Sequence, residues 1–300
     1  MCLKYIKIFF SILIIVGAHP DSCEKEETFQ CGRRPNNLYS DLITSGAGTK
    51  ASDWPWFAMV VEKDSQNNNK NIYIFDAIII SSNALLTCGY CVFRNKTRIP
   101  LTRLSVQVGT SNYNAVNEIG RKFLPVVKVL THPGFDIEKS RATSNLALLF
   151  VNKLVFTEHV QPICVWGPLY DKTDLYGQQA VVASFASSGT STDRLQPLYS
   201  VVQSDETCVA YVPGHSSWLN EFNFCAGDVS GTSPDSARGG TGLALPVAQD
   251  DNPVTWFLHG IFSHCGGDSK GECDLKSLKL YTNVAPHYPW IYHNVFTSNN

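Results

Sequence analysis

Cys88 and Cys91, in the stretch Leu85-Leu86-Thr87-Cys88-Gly89-Tyr90-Cys91, have the Cys-x-x-Cys spacing of a thiol redox pair or of a short structural bridge. A redox role would call for a thioredoxin-like strand and helix around the pair, which the flanking sequence lacks, so a bridge is the expected state. Zinc is a poorer fit, because no second Cys-x-x-Cys and no paired histidines follow. His264 could serve as a general base only with a hydroxyl within hydrogen-bond reach, and Ser236 and Ser263 are the hydroxyls near it in sequence. That grouping matches no known nucleophile arrangement, and His264 is expected to be a structural histidine. No cofactor or metal is expected. Asn95-Lys96-Thr97 is a glycosylation sequon, expected on a surface loop.

The elements that must position these groups read as β-strands. Short apolar runs broken by polar turns recur along the chain, the signature of an all-β domain. Phe57 to Val61 and Ile72 to Ile80 flank a polar loop over Glu62 to Asn71, and Leu85 to Leu86, Ser105 to Val108, Val126 to Leu130 and Leu146 to Val151 follow. A second set comprises Ala180 to Ser184, Leu198 to Gln203, Gly242 to Val247, Thr255 to Phe262 and Lys279 to Val284. Pro286 to Phe296 carries Tyr288, Ile291, Tyr292 and Val295 at helical spacing, predicting a closing helix with a core-facing stripe.

Residues 1–18 read as a secretory signal peptide, with Lys4 and Lys7 flanking an apolar run from Ile8 to Val16 that is too short for a membrane span. Residues 19–42 resemble a short pro-segment, and 43–300 form one domain. Loss of Lys4 and Lys7 with the leader takes the formal charge from -2 to -4, which offers no electrostatic case for nucleic acid or an anionic membrane. Ten cysteines in an exported chain imply a disulfide framework, of which Cys2 leaves with the signal.

Three segments carry a resemblance. Leu85 to Cys91, Ser144-Asn145-Leu146-Ala147-Leu148-Leu149 and Arg238-Gly239-Gly240-Thr241-Gly242-Leu243 follow one another in the order and spacing of the chymotrypsin/trypsin-like serine proteases. Trp54-Pro55-Trp56, Gln161-Pro162-Ile163-Cys164, Phe224-Cys225-Ala226-Gly227 and Tyr281-Thr282-Asn283-Val284 also resemble family signatures, so the likeness runs from Cys31 onward. Among relatives, the leucine before the activation site and the Gly-Leu-Ala-Leu ending of the third segment look most like arthropod modular serine proteases. The resemblance implies two packed six-stranded antiparallel β-barrels and a C-terminal helix.

It also implies a catalytic triad whose members are all replaced. Tyr90 stands at the histidine, Asn145 at the aspartate and Gly239 at the serine. Gly239 offers no nucleophile, Tyr90 is a poor base near neutral pH, and Asn145 cannot stabilise an imidazolium. Loss of serine or histidine alone costs such a triad roughly a millionfold in turnover. Arg238 replaces the aspartate that receives the new amino terminus on activation, and Leu42 stands where an activator would need a basic residue. Ala237 replaces an oxyanion-hole glycine, where a left-handed backbone would cost about 1 to 2 kcal/mol.

By the same resemblance, Ser233 lies at the base of the specificity pocket, His264 and Cys265 form its wall, and Lys279 replaces a lining glycine. Lys279 is expected to fill or close the pocket, the alternative being that it snorkels outward. The family pairs Cys31 with Cys164 and Cys208 with Cys225. Cys91 and Cys273 lack their usual partners, those places being taken by Phe75 and Asp235, and each has a new cysteine nearby, which suggests Cys88–Cys91 and Cys265–Cys273 as rewired local bridges. On a regular helical turn Cβ atoms three apart are about 5 to 6 Å from each other, so the first of these bridges requires local distortion. Cys23 is left over.

The function expected from these residues is that of a secreted, catalytically inactive homologue acting as cofactor, decoy or regulator in an extracellular protease cascade of immune, melanisation or clotting type. Its expected partners are extracellular proteases or their zymogens, inhibitors or microbial surface ligands, with no nucleic acid and no membrane. The alternatives are an active serine-type endopeptidase with a non-standard site, and a carbohydrate- or surface-binding module on the same fold.

Overall fold

The computed structural model describes residues 30–35, 49–64, 70–115, 117–138, 143–169, 171–185, 194–229, 238–249, 252–266, 274 and 277–297. Residues 1–18, expected to be a signal peptide, most of the pro-segment-like stretch with Cys23 and Leu42, and Ser233, Asp235, Ser236, Ala237 and Cys273 lie outside them.

Two antiparallel barrels result. The first closes from β1 (Phe57–Asp64), β2 (Lys70–Ile79), β3 (Ala84–Thr87), β6 (Leu104–Val108), β7 (Lys122–Thr131) and β8 (Ala147–Val151), in the spatial order β1-β2-β3-β8-β7-β6. A small hairpin of β4 (Phe93–Arg94) and β5 (Thr97–Arg98) stands apart. The second ring runs β13 (Gly242–Gln249), β10 (Gln179–Phe185), β11 (Leu195–Gln203), β12 (Asn223–Ala226), β15 (Lys279–Asn283) and β14 (Asn252–Cys265), closed by β13–β14 pairing, while β9 (Cys164–Val165) adds a parallel pairing to β14.

Burial parity shows why strands such as β10 read as continuous apolar runs. Ala180 and Val182 point into the second barrel's own core, whereas Val181, Ala183 and Phe185 join the apolar cluster shared with the first barrel. A strand covered on both faces loses the apolar-polar alternation that marks a half-buried one. Trp54, Trp56 and Trp256 pack ring to ring across this boundary, with centroids 5.5 to 6.1 Å apart. Arg34 caps the cluster, its guanidinium 4.7 Å from the Trp54 ring. Gly32 exchanges backbone hydrogen bonds with Pro162 and Trp256. Residues 30–35 of the pro-segment-like stretch are thus an integral part of the packed domain.

Several sequence expectations are modified. Glu62 and Lys63 belong to β1 rather than to a loop, and the buried Glu62 carboxylate is held by Arg94 at 2.6 Å and Arg103 at 2.9 Å. Strand β12 and the helix α1 (Asp205–Tyr211), capped by the Ser204 hydroxyl, were not anticipated. At the C-terminus a 3-10 turn leads into α2 (Tyr288–Tyr292) and a π turn. Only Ile291 of the expected stripe is fully buried. Tyr292 stays exposed, stacked on Tyr288 and tilted against Phe296, with ring centroids 5.8 Å away in both cases. The stripe therefore serves ring stacking along the helix as much as core filling.

Candidate functional site

Thr87 at the end of β3, Asn145 before β8, the loop 238–241 before β13, and Ser263 in β14 converge where the barrels meet. Asn145 is completely buried and bonds in two directions. Its Oδ1 accepts the Tyr90 backbone N–H at 2.8 Å, and its Nδ2 donates to Ser263 Oγ at 2.8 Å. The preceding Ser144 takes φ 56°, a left-handed conformation that swings Asn145 inward. The Tyr90 side chain is 46% exposed. The backbone at Tyr90 is therefore fixed by Asn145, while its phenol extends from the surface.

Asn145→Ala should cost about 2 kcal/mol, since it orphans a backbone donor and a hydroxyl and leaves a small void. Asn145→Asp should cost less than the alanine change near pH 4 and more as pH rises, because the Ser263 hydroxyl can turn to donate but a completely buried carboxylate is disfavoured once ionised. Thermal unfolding of the two variants checks this contrast.

Gly239 has no room for a side chain. A Cβ there would stand 2.6 Å from Cys91 Sγ and 3.3 Å from Cys88 Sγ. Those cysteines are bridged, with Cα atoms 5.2 Å apart. Gly89 continues the turn at φ -62°, ψ -40°, and Cys91 N–H bonds the Cys88 carbonyl at 3.2 Å, an i to i+3 closure that draws the two residues together. This tight turn is the local distortion that a three-residue bridge requires. The structure also bridges Cys31 with Cys164 and Cys208 with Cys225, and Cys265 is disulfide-bonded too. Its expected partner, Cys273, lies outside the described residues.

Beneath Gly239 lies a buried polar group that the sequence reading gave no role. Asp76 on β2 is wholly buried and accepts hydrogen bonds from the Tyr73 hydroxyl, Thr241 Oγ1 at 2.5 Å and Ser184 Oγ at 3.2 Å. Burial raises its carboxyl from 3.8 to about 6, against the lowering effects of Thr241, Tyr73, the Arg238 charge and Ser184. Burial and the neighbouring Asp76 carboxylate push the Tyr73 phenol well above its ordinary range. The Arg238 guanidinium lies 4.3 Å from the Tyr73 ring centroid. Asp76 N–H donates to the Gly239 carbonyl at 2.9 Å, and Thr87 Oγ1 donates to the Asp76 carbonyl at 2.6 Å.

Gly240, at φ 86°, lets this backbone close, since a Cβ there would stand 2.0 Å from the Asp76 carbonyl. The loop that carries Gly239 is thus clamped to β2. A detectable signal existed: Asp76 is a lone carboxylate in the apolar run Ile72 to Ile80, matched by an unexpected cation at Arg238.

On the pocket side, Lys279 is 4% exposed and pairs in the sheet with Ala226 and Cys265. Ser263 sits in the bulge between Phe262 and His264 and is engaged by Asn145. His264 packs 4.2 Å from the Trp218 ring and 6.4 Å from His215. Asn95 and Lys96, at φ 49° and 62°, make the two-residue turn between β4 and β5, and the sequon asparagine is exposed there. Among the described residues no group of three or more His, Cys, Asp or Glu could hold a metal, and no helix is long and apolar enough to cross a membrane.

No family model matches the chain. It is 24% identical to phenoloxidase-activating factor 3 of Holotrichia diomphalia over 307 residues, covering 97% of this chain and 80% of that protein. Similarity to CLIP domain-containing serine protease B4 of Anopheles gambiae is 23% over 86% of this chain and 71% of the other. Granzyme B of Rattus norvegicus is 23% identical over 83% of this chain and 89% of its own length.

Proposed function

We propose, for a chain that belongs to the chymotrypsin/trypsin-like serine protease family, that it acts without catalysis, through its surfaces, as a cofactor, decoy or regulator of active proteases. One observation carries the reading: the space a nucleophilic side chain would need at Gly239 is filled by the sulfur of Cys91. A protein that had only lost its serine would leave that space open. The clamp of Asp76, Tyr73 and Thr241 on the adjoining loop supports the same reading, because the cation of Arg238, packed over the Tyr73 ring and acting on the Asp76 charge, stands where a freed amino terminus would need a carboxylate and would repel its ammonium. The Asn145 contacts preserve the shape of the old site without its chemistry.

The names of its relatives, a phenoloxidase-activating factor and a CLIP-domain serine protease, favour an extracellular immune or melanisation cascade. Secretion through the leader at residues 1–18, with a glycan on Asn95, fits that setting. The partner class is an extracellular protease or its zymogen.

The purified domain is expected to show no hydrolysis of trypsin, chymotrypsin or elastase substrates above buffer, and no labelling by a fluorophosphonate, which needs an activated serine. Probe attachment mapped to a serine near the cleft would overturn the proposal. Capture of a serine protease zymogen by the native protein from its secretion fluid, with a change in that zymogen's activation rate, tests the cofactor role.

A further inference from the structure

The floor of the cleft retains one group capable of covalent chemistry. Cys91 is half-buried, packed partly against the apolar core, with its sulfur against Gly239, which has no side chain. Cys88 is buried, and its sulfur accepts the Cys91 N–H at 3.1 Å. The two cysteines are therefore unequal: Cys91 is partly exposed, whereas Cys88 is buried and its sulfur faces a backbone donor that would stabilise a thiolate.

We propose that the Cys88–Cys91 bridge is a thiol–disulfide exchange site. An incoming thiolate, from a small thiol such as glutathione or from a cysteine of a partner protein, attacks Cys91 Sγ. A sulfur–sulfur bond forms there as the Cys88–Cys91 bond breaks, and its electron pair leaves with Cys88 Sγ as a thiolate facing the Cys91 amide. Return attack by Cys88 expels the incoming thiol and restores the bridge, so the first step needs no further oxidant or reductant. The site is distinct from a thioredoxin-type centre, whose strand and helix are absent, and it stands whether or not the domain hydrolyses peptides.

Cys31 is as partly exposed as Cys91, so the other bridges differ in burial or in span. Cys208 and Cys225 are both fully buried. Cys31–Cys164 joins residues 133 apart, whereas Cys88–Cys91 spans three. A bridge closing so short a loop restrains the unfolded chain least, so opening it leaves the barrels intact.

The test uses the mature protein with graded reduced glutathione, quenched with iodoacetamide and mapped by non-reducing peptide analysis. Cys88 and Cys91 should become modified at least about tenfold faster than the Cys31–Cys164 and Cys208–Cys225 pairs, with an unchanged unfolding midpoint. Cys88→Ser, presented with oxidised glutathione or with a disulfide-activated cysteine peptide, should form a mixed disulfide at Cys91. Preference for one probe separates a small-thiol from a protein partner. Cys91→Ser, which leaves only the buried Cys88, should react about tenfold more slowly. A bridge that resists glutathione as long as Cys208–Cys225 does would overturn the proposal, and so would a Cys88→Ser variant that reacts no faster than Cys91→Ser. If either variant fails to fold, the wild-type reduction order decides alone.

Discussion

The triple substitution Tyr90→His, Asn145→Asp and Gly239→Ser should leave the protein without measurable peptide hydrolysis, although it rebuilds the catalytic residues by name. Asn145 already holds the backbone at Tyr90, so two of the three positions are in place. The obstacle is the third. A serine Cβ at position 239 would stand 2.6 Å from Cys91 Sγ, closer than any non-bonded contact allows, and the bridged sulfur cannot swing away. Triad members act as a unit, so a misplaced nucleophile forfeits most of what the other two supply.

Recovery should therefore require opening the space. Cys88→Ala with Phe75→Cys offers Cys91 a partner on β2, where the family resemblance places one. Arg238→Asp must then be joined by Asp76→Gly, since two carboxylates would otherwise share one buried site. With Ala237→Gly and a basic residue at Leu42 to permit cleavage, the enlarged set should exceed the triple variant by at least about a hundredfold, the scale of a single oxyanion donor. Chromogenic peptide assays with active-site titration make the comparison. Efficient turnover by the triple variant alone would show that the bridge yields and that the cleft is still open.

Asp76→Ala should be among the most destabilising single changes in the domain. It removes the acceptor for the Tyr73, Ser184 and Thr241 hydroxyls and withdraws the negative charge that acts on Arg238. A loss of about 3 kcal/mol follows from breaking a buried charged network at one end, or roughly 10 °C in midpoint for a domain of this size. Asp76→Asn should cost less, because hydroxyls can reorient around an amide.

The two forms also separate by pH. The folded carboxyl titrates at about 6 against an ordinary 3.8, so the native state binds this proton more tightly than the unfolded chain. The contribution of Asp76 to stability is therefore largest below pH 4 and falls by about 3 kcal/mol as pH rises to 6, after which it is level. Urea unfolding at pH 4, 5, 6 and 7 should show wild type losing ground to Asp76→Asn across that window. A difference that stays constant with pH would mean that Asp76 does not titrate as a buried acid.

Much of the architecture was legible because strand signals are local. Eleven apolar runs were read as strands, and each overlaps a strand of the two barrels. Strand β12 escaped because Asn223–Ala226 is only four residues long and buried at every position, which leaves no alternation to read. Helix α1 escaped because Asp205–Tyr211 is only seven residues long, too short for a helical period to show, and is marked mainly by its Ser204 cap. Tyr90, Asn145 and Gly239, at the positions that the resemblance assigns to a triad, were visible as single letters, whereas the contacts around them were not. Asn145 reaches Ser263 across 118 residues, and Thr241 reaches Asp76 across 165.

The sequence by itself determined which side chains stand at the positions that the resemblance assigns to the triad, since a glycine has no hydroxyl in any fold, and it determined the all-β pattern through short apolar runs broken by polar turns. Only the tertiary structure decided what surrounds those positions. Closing two barrels against each other brings the Cys88–Cys91 bridge over Gly239 and lays Asp76 beneath it, within reach of Arg238. Steric exclusion and charge compensation are properties of distance, and distances between remote segments exist only once the chain is packed.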